Sequence, residues 1–296
     1  MAHGRNPNAD ETARVTVSST QITVGGVRCP VLHAGPADAT EAVVFVHGNP
    51  GPGDDWINLL ERVGSVARAI APDMPGYGDA DKPRDFDYTI VGYANHLAGL
   101  LDQLGVKRAH LVAHDFGGPW ALEWAVRHPA AFASATLINT GVLIDYKWHS
   151  FAKIWRTPIV GEIFQATTTR TGFRLLVGRG NPRLSRDEID RIYDQARTWA
   201  TKRAVLKLYR ATPATSLGAR SEALRALDRP ALVLWGTHDA YLPAEQAERQ
   251  RQTFPSARVE ALDGHGHWLF LEDPERVASL VIPFLREQLA ASGGQR

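Results

Sequence analysis

His110-Leu111-Val112-Ala113-His114-Asp115-Phe116-Gly117-Gly118 reads as a strand that turns abruptly into a helix. Residues 110–113 read as a strand, and 117–127 as a helix that ends before Pro129. Small residues stand at 113, 117 and 118, the small-x-nucleophile-x-Gly layout of a nucleophile elbow. Such a turn needs small neighbours because its central residue is held in a strained, tightly packed backbone. The central side chain then projects above the carboxyl ends of parallel strands, where open α/β sheets bind ligands. Here the central residue is Asp115 and not a serine. On this stretch alone an aspartate could equally cap the following helix. The rest of the chain decides between the two.

Outward from the turn, short apolar runs alternate with amphipathic stretches. Residues 15–35 hold two β-branched segments around Gly25-Gly26, a hairpin signal. Runs at 42–46, 66–71, 134–139, 231–235 and 257–262 read as further strands. Residues 89–104 place Ile90, Tyr93, Leu97, Leu100, Leu101 and Leu104 at helical spacing, stopped by Gly105. A last helix is expected over about 274–291. Alternating strands and helices imply a mostly parallel sheet covered on both faces, the α/β class. The alternation breaks at 142–216, where helical patches at 185–199 and 202–210 predict a helical insertion. The expected organisation is a tail at 1–13 without structure, a core from 14–141 and 217–296, and a helical cap at 142–216.

Composition removes several function classes. The 296 residues fit one large domain better than two independent ones. Thirty-three Lys and Arg against 32 Asp and Glu leave a net charge of +1, which gives no argument for nucleic acid or a membrane as partner. The insertion departs from this balance, with 14 Lys and Arg against 6 Asp and Glu. That favours either an anionic substrate or simply a solvated basic face. The single cysteine, Cys29, excludes an internal disulfide and a cysteine-based metal cluster. No apolar run is long enough to span a bilayer, and residues 1–14 lack an apolar signal segment, so the cytoplasm is the expected compartment. No metal or organic cofactor is implied. Monomer and homodimer stay equally open.

Two downstream segments complete a chemical set with Asp115. Leu232 to Asp239 runs from a strand into a loop with an acid at its tip. Asp263-Gly264-His265-Gly266-His267-Trp268 follows the last strand. Along the chain this gives nucleophile, acid, histidine, each at a strand end, the order of an α/β-hydrolase triad. The loop His47-Gly48-Asn49-Pro50 follows the first parallel strand. The backbone N–H groups of Asn49 and Phe116 are placed to form an oxyanion hole.

The segments HGNP at 47, APDMPGYG at 71, AHDFGG at 113, LWGTHD at 234 and GHGHWLFLEDP at 264 resemble the α/β-hydrolase superfamily over about residues 20–290. The resemblance implies an eight-stranded, mostly parallel sheet. It favours His267 over His265, because Glu272 and Pro274 follow His267 at the superfamily's spacing. His114 and His47 then read as bracing residues. His-Asp-x-Gly-Gly is similar to the aspartate branch, the epoxide hydrolases and haloalkane dehalogenases. The chemistry agrees independently. A carboxylate attacking a saturated carbon forms an alkyl ester that water can cleave, whereas a serine would form an ether, a dead end.

The resemblance implies an epoxide hydrolase that makes a vicinal diol through an aspartyl ester, with Asp115, Asp239 and His267 as the triad. Leu208-Tyr209-Arg210 resembles the second cap tyrosine motif, which assigns Tyr209 as donor to the epoxide oxygen. Tyr146 and Tyr193 are candidates for the first. A haloalkane dehalogenase is the alternative: Asn49 suits one dehalogenase subgroup and Trp155 to Gly161 is similar to that family's cap, although Phe116 lacks the N–H donor usual there. A non-catalytic small-molecule-binding protein of the same fold is the alternative of another class. Trp148, Phe151, Trp155, Phe164 and Phe173 predict an apolar pocket for an apolar or aromatic epoxide.

Overall fold

Gly25 and Gly26 both take positive φ, 56° and 80°, and close a hairpin with Val24 opposite Val27. The hairpin joins β1 (Ser18–Val24) to β2 (Val27–Ala34). The computed structural model describes residues 15–293, so the expected tail at 1–13 lies outside the described residues. From β2 the chain runs through β3 (Glu41–Val46), α1 (Ile57–Val63), β4 (Arg68–Pro72), α2 (Ile90–Gln103), β5 (Arg108–His114), α3 (Gly117–Arg127) and β6 (Phe132–Ile138). Five helices follow: α4 (Ser150–Arg156), α5 (Val160–Thr167), α6 (Arg170–Gly180), α7 (Arg186–Ala196) and α8 (Trp199–Ala211). The chain returns through α9 (Ser221–Leu227), β7 (Ala231–Gly236), α10 (Glu245–Arg249), β8 (Arg258–Leu262), α11 (Leu269–Glu272) and α12 (Pro274–Gly293).

The eight strands form one sheet in the order β1-β2-β4-β3-β5-β6-β7-β8. β2 is antiparallel to both β1 and β4; all other pairs are parallel. The uninterrupted apolar runs follow from this. In β3, Val44 and Val46 pack into one core layer, with Leu97 of α2 and Trp120 of α3. Val43 and Phe45 face the other, with Leu60 of α1 and Val281 of α12. A strand covered on both faces has no polar side to display. Truncating a fully buried side chain such as Phe45 to Ala costs about 3–5 kcal/mol.

Between β6 and β7 the described chain contains helices and no strand. Thr169, Ser185 and Thr198 cap α6, α7 and α8 by accepting a backbone N–H, and Ser185 with Glu188 forms a full capping box. Specific polar contacts fasten this helical segment over the sheet. Arg191 of α7 pairs at 3.0 Å with Asp55, in the loop after β3. Arg203 of α8 donates to the Lys82 carbonyl at 3.2 Å. Asn181, at the end of α6, accepts the backbone N–H of His267 at 2.7 Å. A cavity lies between the segment and the carboxyl ends of the strands. Among the described residues no helix is long and apolar enough to cross a membrane.

Candidate active site

Asp115 sits between β5 and α3 with φ 48°, the left-handed region that is uncommon outside glycine and that Asp and Asn enter more readily than other residues. The glycines around it have no room for a side chain. A methyl on Gly117 would stand 2.2 Å from the Val46 carbonyl oxygen, and one on Gly48 2.3 Å from Asp115 Cβ. The small residues of the turn thus let β3, its following loop and α3 converge on one carboxylate. The Asn49 N–H donates to Asp115 Oδ1 at 2.7 Å. Asp115 faces a covered cavity, not the open surface.

The other expected partners converge here. His267 Nδ1 lies 2.7 Å from Asp239 Oδ2, and Nε2 lies 3.6 Å from Asp115 Oδ2. The first contact is a hydrogen bond; the second, at its longer distance, is ionic. The Asp239 side chain is fully buried and saturated with donors. Its carboxylate accepts the N–H of Tyr241 at 2.7 Å, of Leu242 at 2.9 Å and the Asn139 side-chain amide at 2.6 Å. Burial alone would raise the Asp239 carboxyl; His267 and the two backbone donors outweigh it and hold the carboxyl below its usual range. Asp115 is likewise held low, its burial outweighed by His267 and the Asn49 N–H. Burial would lower the His267 imidazole, but Asp239 and Asp115 prevail and lift it to about 10. At neutral pH the free site therefore holds an imidazolium between two carboxylates.

The remaining histidines brace the site. His114 reaches the His267 carbonyl at 3.0 Å, and burial lowers its pKa to about 3, so it is neutral. His47 accepts the Met74 N–H at 2.8 Å. His265 contacts the Asp263 carbonyl at 2.9 Å and not Asp115. Glu272 accepts the Gly266 N–H at 2.8 Å, a physical reason for its spacing from His267.

Tyr209 is buried on α8 and lines the cavity with Asp115. Burial and the Asp115 charge push its hydroxyl well above the usual tyrosine range, so it keeps its proton. Of the two candidates for the first tyrosine, Tyr193 lines the same cavity and Tyr146 an adjoining space, and neither has a hydrogen bond to Tyr209 among the described residues. The Tyr146 hydroxyl donates to the Tyr241 carbonyl at 3.1 Å, and the Tyr193 hydroxyl is directed at the Thr168 carbonyl, 3.5 Å away. The group beside Tyr209 is His149, with Nε2 3.5 Å from the tyrosine oxygen. His149 is the N-cap of α4: its Nδ1 accepts the Ala152 N–H at 3.2 Å. Burial lowers its pKa to about 4, so the ring is neutral. A neutral ring that accepts at Nδ1 carries its proton at Nε2. The cap contact thereby presents an N–H donor next to the tyrosine. His149, Asn139 and Asn181 escaped the sequence reading, and no motif marks any of them.

Asn49, Phe151, Trp155, Phe164, Phe173 and Trp268 also line the cavity, which encloses about 890 Å³ of empty space including its mouth. Trp148 lines a smaller adjoining space that also reaches Asp115. Among the described residues no cluster of three or more His, Cys, Asp or Glu side chains could hold a metal ion.

The family model for the α/β-hydrolase fold matches residues 41–274, and the chain belongs to that family. The chain is 31% identical, over 88% of its length and 92% of the relative, to a cis-3-alkyl-4-alkyloxetan-2-one decarboxylase of Xanthomonas campestris. It resembles the structure of a loop variant of a haloalkane dehalogenase from Bradyrhizobium elkanii, with 27% identity, a TM-score of 0.82 and coverage of 95% of this chain and 100% of the other. Epoxide hydrolase A of Mycobacterium thermoresistibile shares the fold, with 23% identity, a TM-score of 0.77 and coverage of 92% and 98%. The chain is a hydrolase of the α/β family.

Proposed function

We propose that this hydrolase opens epoxides to vicinal diols through an ester on Asp115. The observation that carries the reading is one cavity holding the Asp115 carboxylate and two neutral proton donors, Tyr209 O–H and His149 Nε2–H. An ionised carboxylate can attack a saturated carbon without help from a base. The epoxide C–O bond breaks as the Asp115–carbon bond forms, and the oxygen takes a proton from Tyr209 or His149. Opened epoxides leave as alkoxides, so proton donors are what this leaving group requires.

Esterification removes the Asp115 charge and with it one of the two carboxylates that keep His267 protonated. The imidazolium can then pass its proton to the anion left on Tyr209 or His149, which restores that donor, and the neutral imidazole acts as base. It takes a proton from water as that water attacks Cγ of Asp115. The N–H groups of Asn49 and Phe116 stabilise the oxyanion, and loss of one such donor typically costs about 10²–10³ in rate. Collapse breaks the ester at the carboxyl carbon, the diol oxygen takes a proton from His267, and the proton left on the Asp115 carboxyl returns to His267 and restores the starting site. The relative from Xanthomonas is named for an oxetan-2-one, also a strained cyclic oxygen compound, which supports ring opening as the shared step.

A second reading, haloalkane dehalogenase, is favoured by a different observation. The indole N–H groups of Trp155 and Trp268, both cavity-lining, are buried without an acceptor. Such donors suit a departing halide. A panel of epoxides and haloalkanes, with diol and halide both measured, tests the proposal. Diol without halide is expected. Halide without diol would replace the reading, and neither product would remove it.

A further inference from the structure

The charges around the cavity are uneven. Its lining holds one carboxylate, Asp115, against two fixed cations, Arg197 and Lys202. Arg197 is largely exposed and paired with Asp194 at 3.1 Å. No ion pair among the described residues includes Lys202. Its ammonium donates to the Gln165 carbonyl at 2.6 Å and lies 5.7 Å from the Trp199 ring centre, which leaves donors free. Lys202 is half-buried, and desolvation lowers its pKa. It also stands in the first turn of α8, where the helix dipole disfavours a cation. Local rules are broken here with no compensating acid, as happens where a ligand supplies the missing charge.

The spacing of Lys202 and Tyr209 along α8 gives a scale for the ligand. Lys202, Val205 and Tyr209 follow one another at i, i+3 and i+7 on α8, and all three line the cavity. Seven residues of helix rise about 10 Å. An extended chain of about eight carbon–carbon bonds spans that distance. The wall along the way is apolar, with Val205, Phe164 and Trp155.

Resting on the epoxide reading, we propose that the substrate is an elongated epoxy acid, its oxirane at Tyr209 and its carboxylate held by Lys202. The competing account is a lysine that covers apolar wall with its stem and keeps its ammonium in water. Such a lysine would create no preference for an acid.

Two measurements separate these accounts, and separate this inference from the reading beneath it. The first is binding of decanoate and of 1-decanol, followed by fluorescence of the cavity tryptophans in wild type, Lys202→Gln and Lys202→Arg. Wild type should bind the acid at least about tenfold more tightly than the alcohol, a modest value for a charge-assisted contact. Lys202→Gln should bring that ratio close to one, and Lys202→Arg should keep most of it. Equal binding of acid and alcohol by wild type, or a preference that survives in Lys202→Gln, would overturn the proposal. The second is the KM ratio between 9,10-epoxyoctadecanoate and its methyl ester, which should favour the acid in wild type and collapse in Lys202→Gln. Acid-selective binding without diol from any epoxide would keep the carboxylate site and remove the epoxide reading. Diol formation without acid preference would do the reverse.

Discussion

The side-chain oxygen of Asn181 accepts the backbone N–H of His267 at 2.7 Å, so the helical segment grips the peptide that carries the imidazole. Asn181 is completely buried, and its amide donates to the Val177 carbonyl at 2.8 Å. Asn181→Leu leaves the His267 N–H buried without a partner, at a cost of about 1–3 kcal/mol. Thermal melts should show a lower Tm. Turnover should fall further than that loss of folded protein explains, because the imidazole is no longer fixed toward Asp115. Activity equal to wild type at a temperature where both proteins are folded would show that the grip serves stability alone.

Tyr209 and His149 should each contribute to ring opening. Tyr209→Phe removes a hydroxyl and leaves the ring packing against Phe116 and Trp155 in place. For His149 the informative change is to Asn, a good N-cap that can still accept the Ala152 N–H but carries no Nε2–H. Each variant should keep its stability within about 1 kcal/mol and lose about 10²-fold or more in diol formation. Halide release, if present, should barely change. Full diol formation in Tyr209→Phe and His149→Asn together would eliminate both as donors.

The raised pKa of His267 links stability to pH. The folded imidazole holds its proton up to about 10, whereas an unfolded one loses it near 6.5. Between those values the folded state binds more protons, so the contribution is complete below 6.5 and is lost as pH rises through 10. Its size is on the order of a few kcal/mol. Tm measured from pH 6.5 to 10 should fall in wild type and fall less in Asp239→Asn, which lacks one of the two charges that retain the proton. An identical slope in both proteins would contradict the imidazolium between two carboxylates.

The convergence of Asp115, Asp239 and His267 was legible because local spacing along the chain carries it. The elbow needs Gly117 and Gly118 next to Asp115, and Glu272 must follow Gly266 by six residues to accept its N–H. The sheet was legible because strands such as β3 bury both faces and so read as unbroken apolar runs. His149 was not legible: it caps α4, but histidine is no preferred cap, and only packing brings it beside Tyr209, 60 residues away. Asn181 lies in Gly180-Asn181-Pro182, which locally reads as loop punctuation. Lys202 was legible only as one charge in a basic segment; that no ion pair among the described residues includes it is a property of the folded cavity.

The order of the two chemical steps gives the sharpest test of the mechanism. Asp115 is ionised in the free site, so alkylation needs no base. Cleavage of the ester does, because water is a poor nucleophile and must lose a proton as it attacks. His267→Gln should therefore stop the cycle after the first step. The variant should consume one equivalent of epoxide in a burst and then cease turnover. Intact-protein mass spectrometry should find an added mass equal to the whole epoxide, on the peptide that contains Asp115. With a haloalkane the adduct would lack the halogen, so the same measurement distinguishes the two leaving groups. Sustained turnover in His267→Gln would mean that another base serves, and His265, which does not contact Asp115, would be the next to remove. A variant that is folded yet gains no mass from any epoxide or haloalkane would exclude the aspartyl ester altogether.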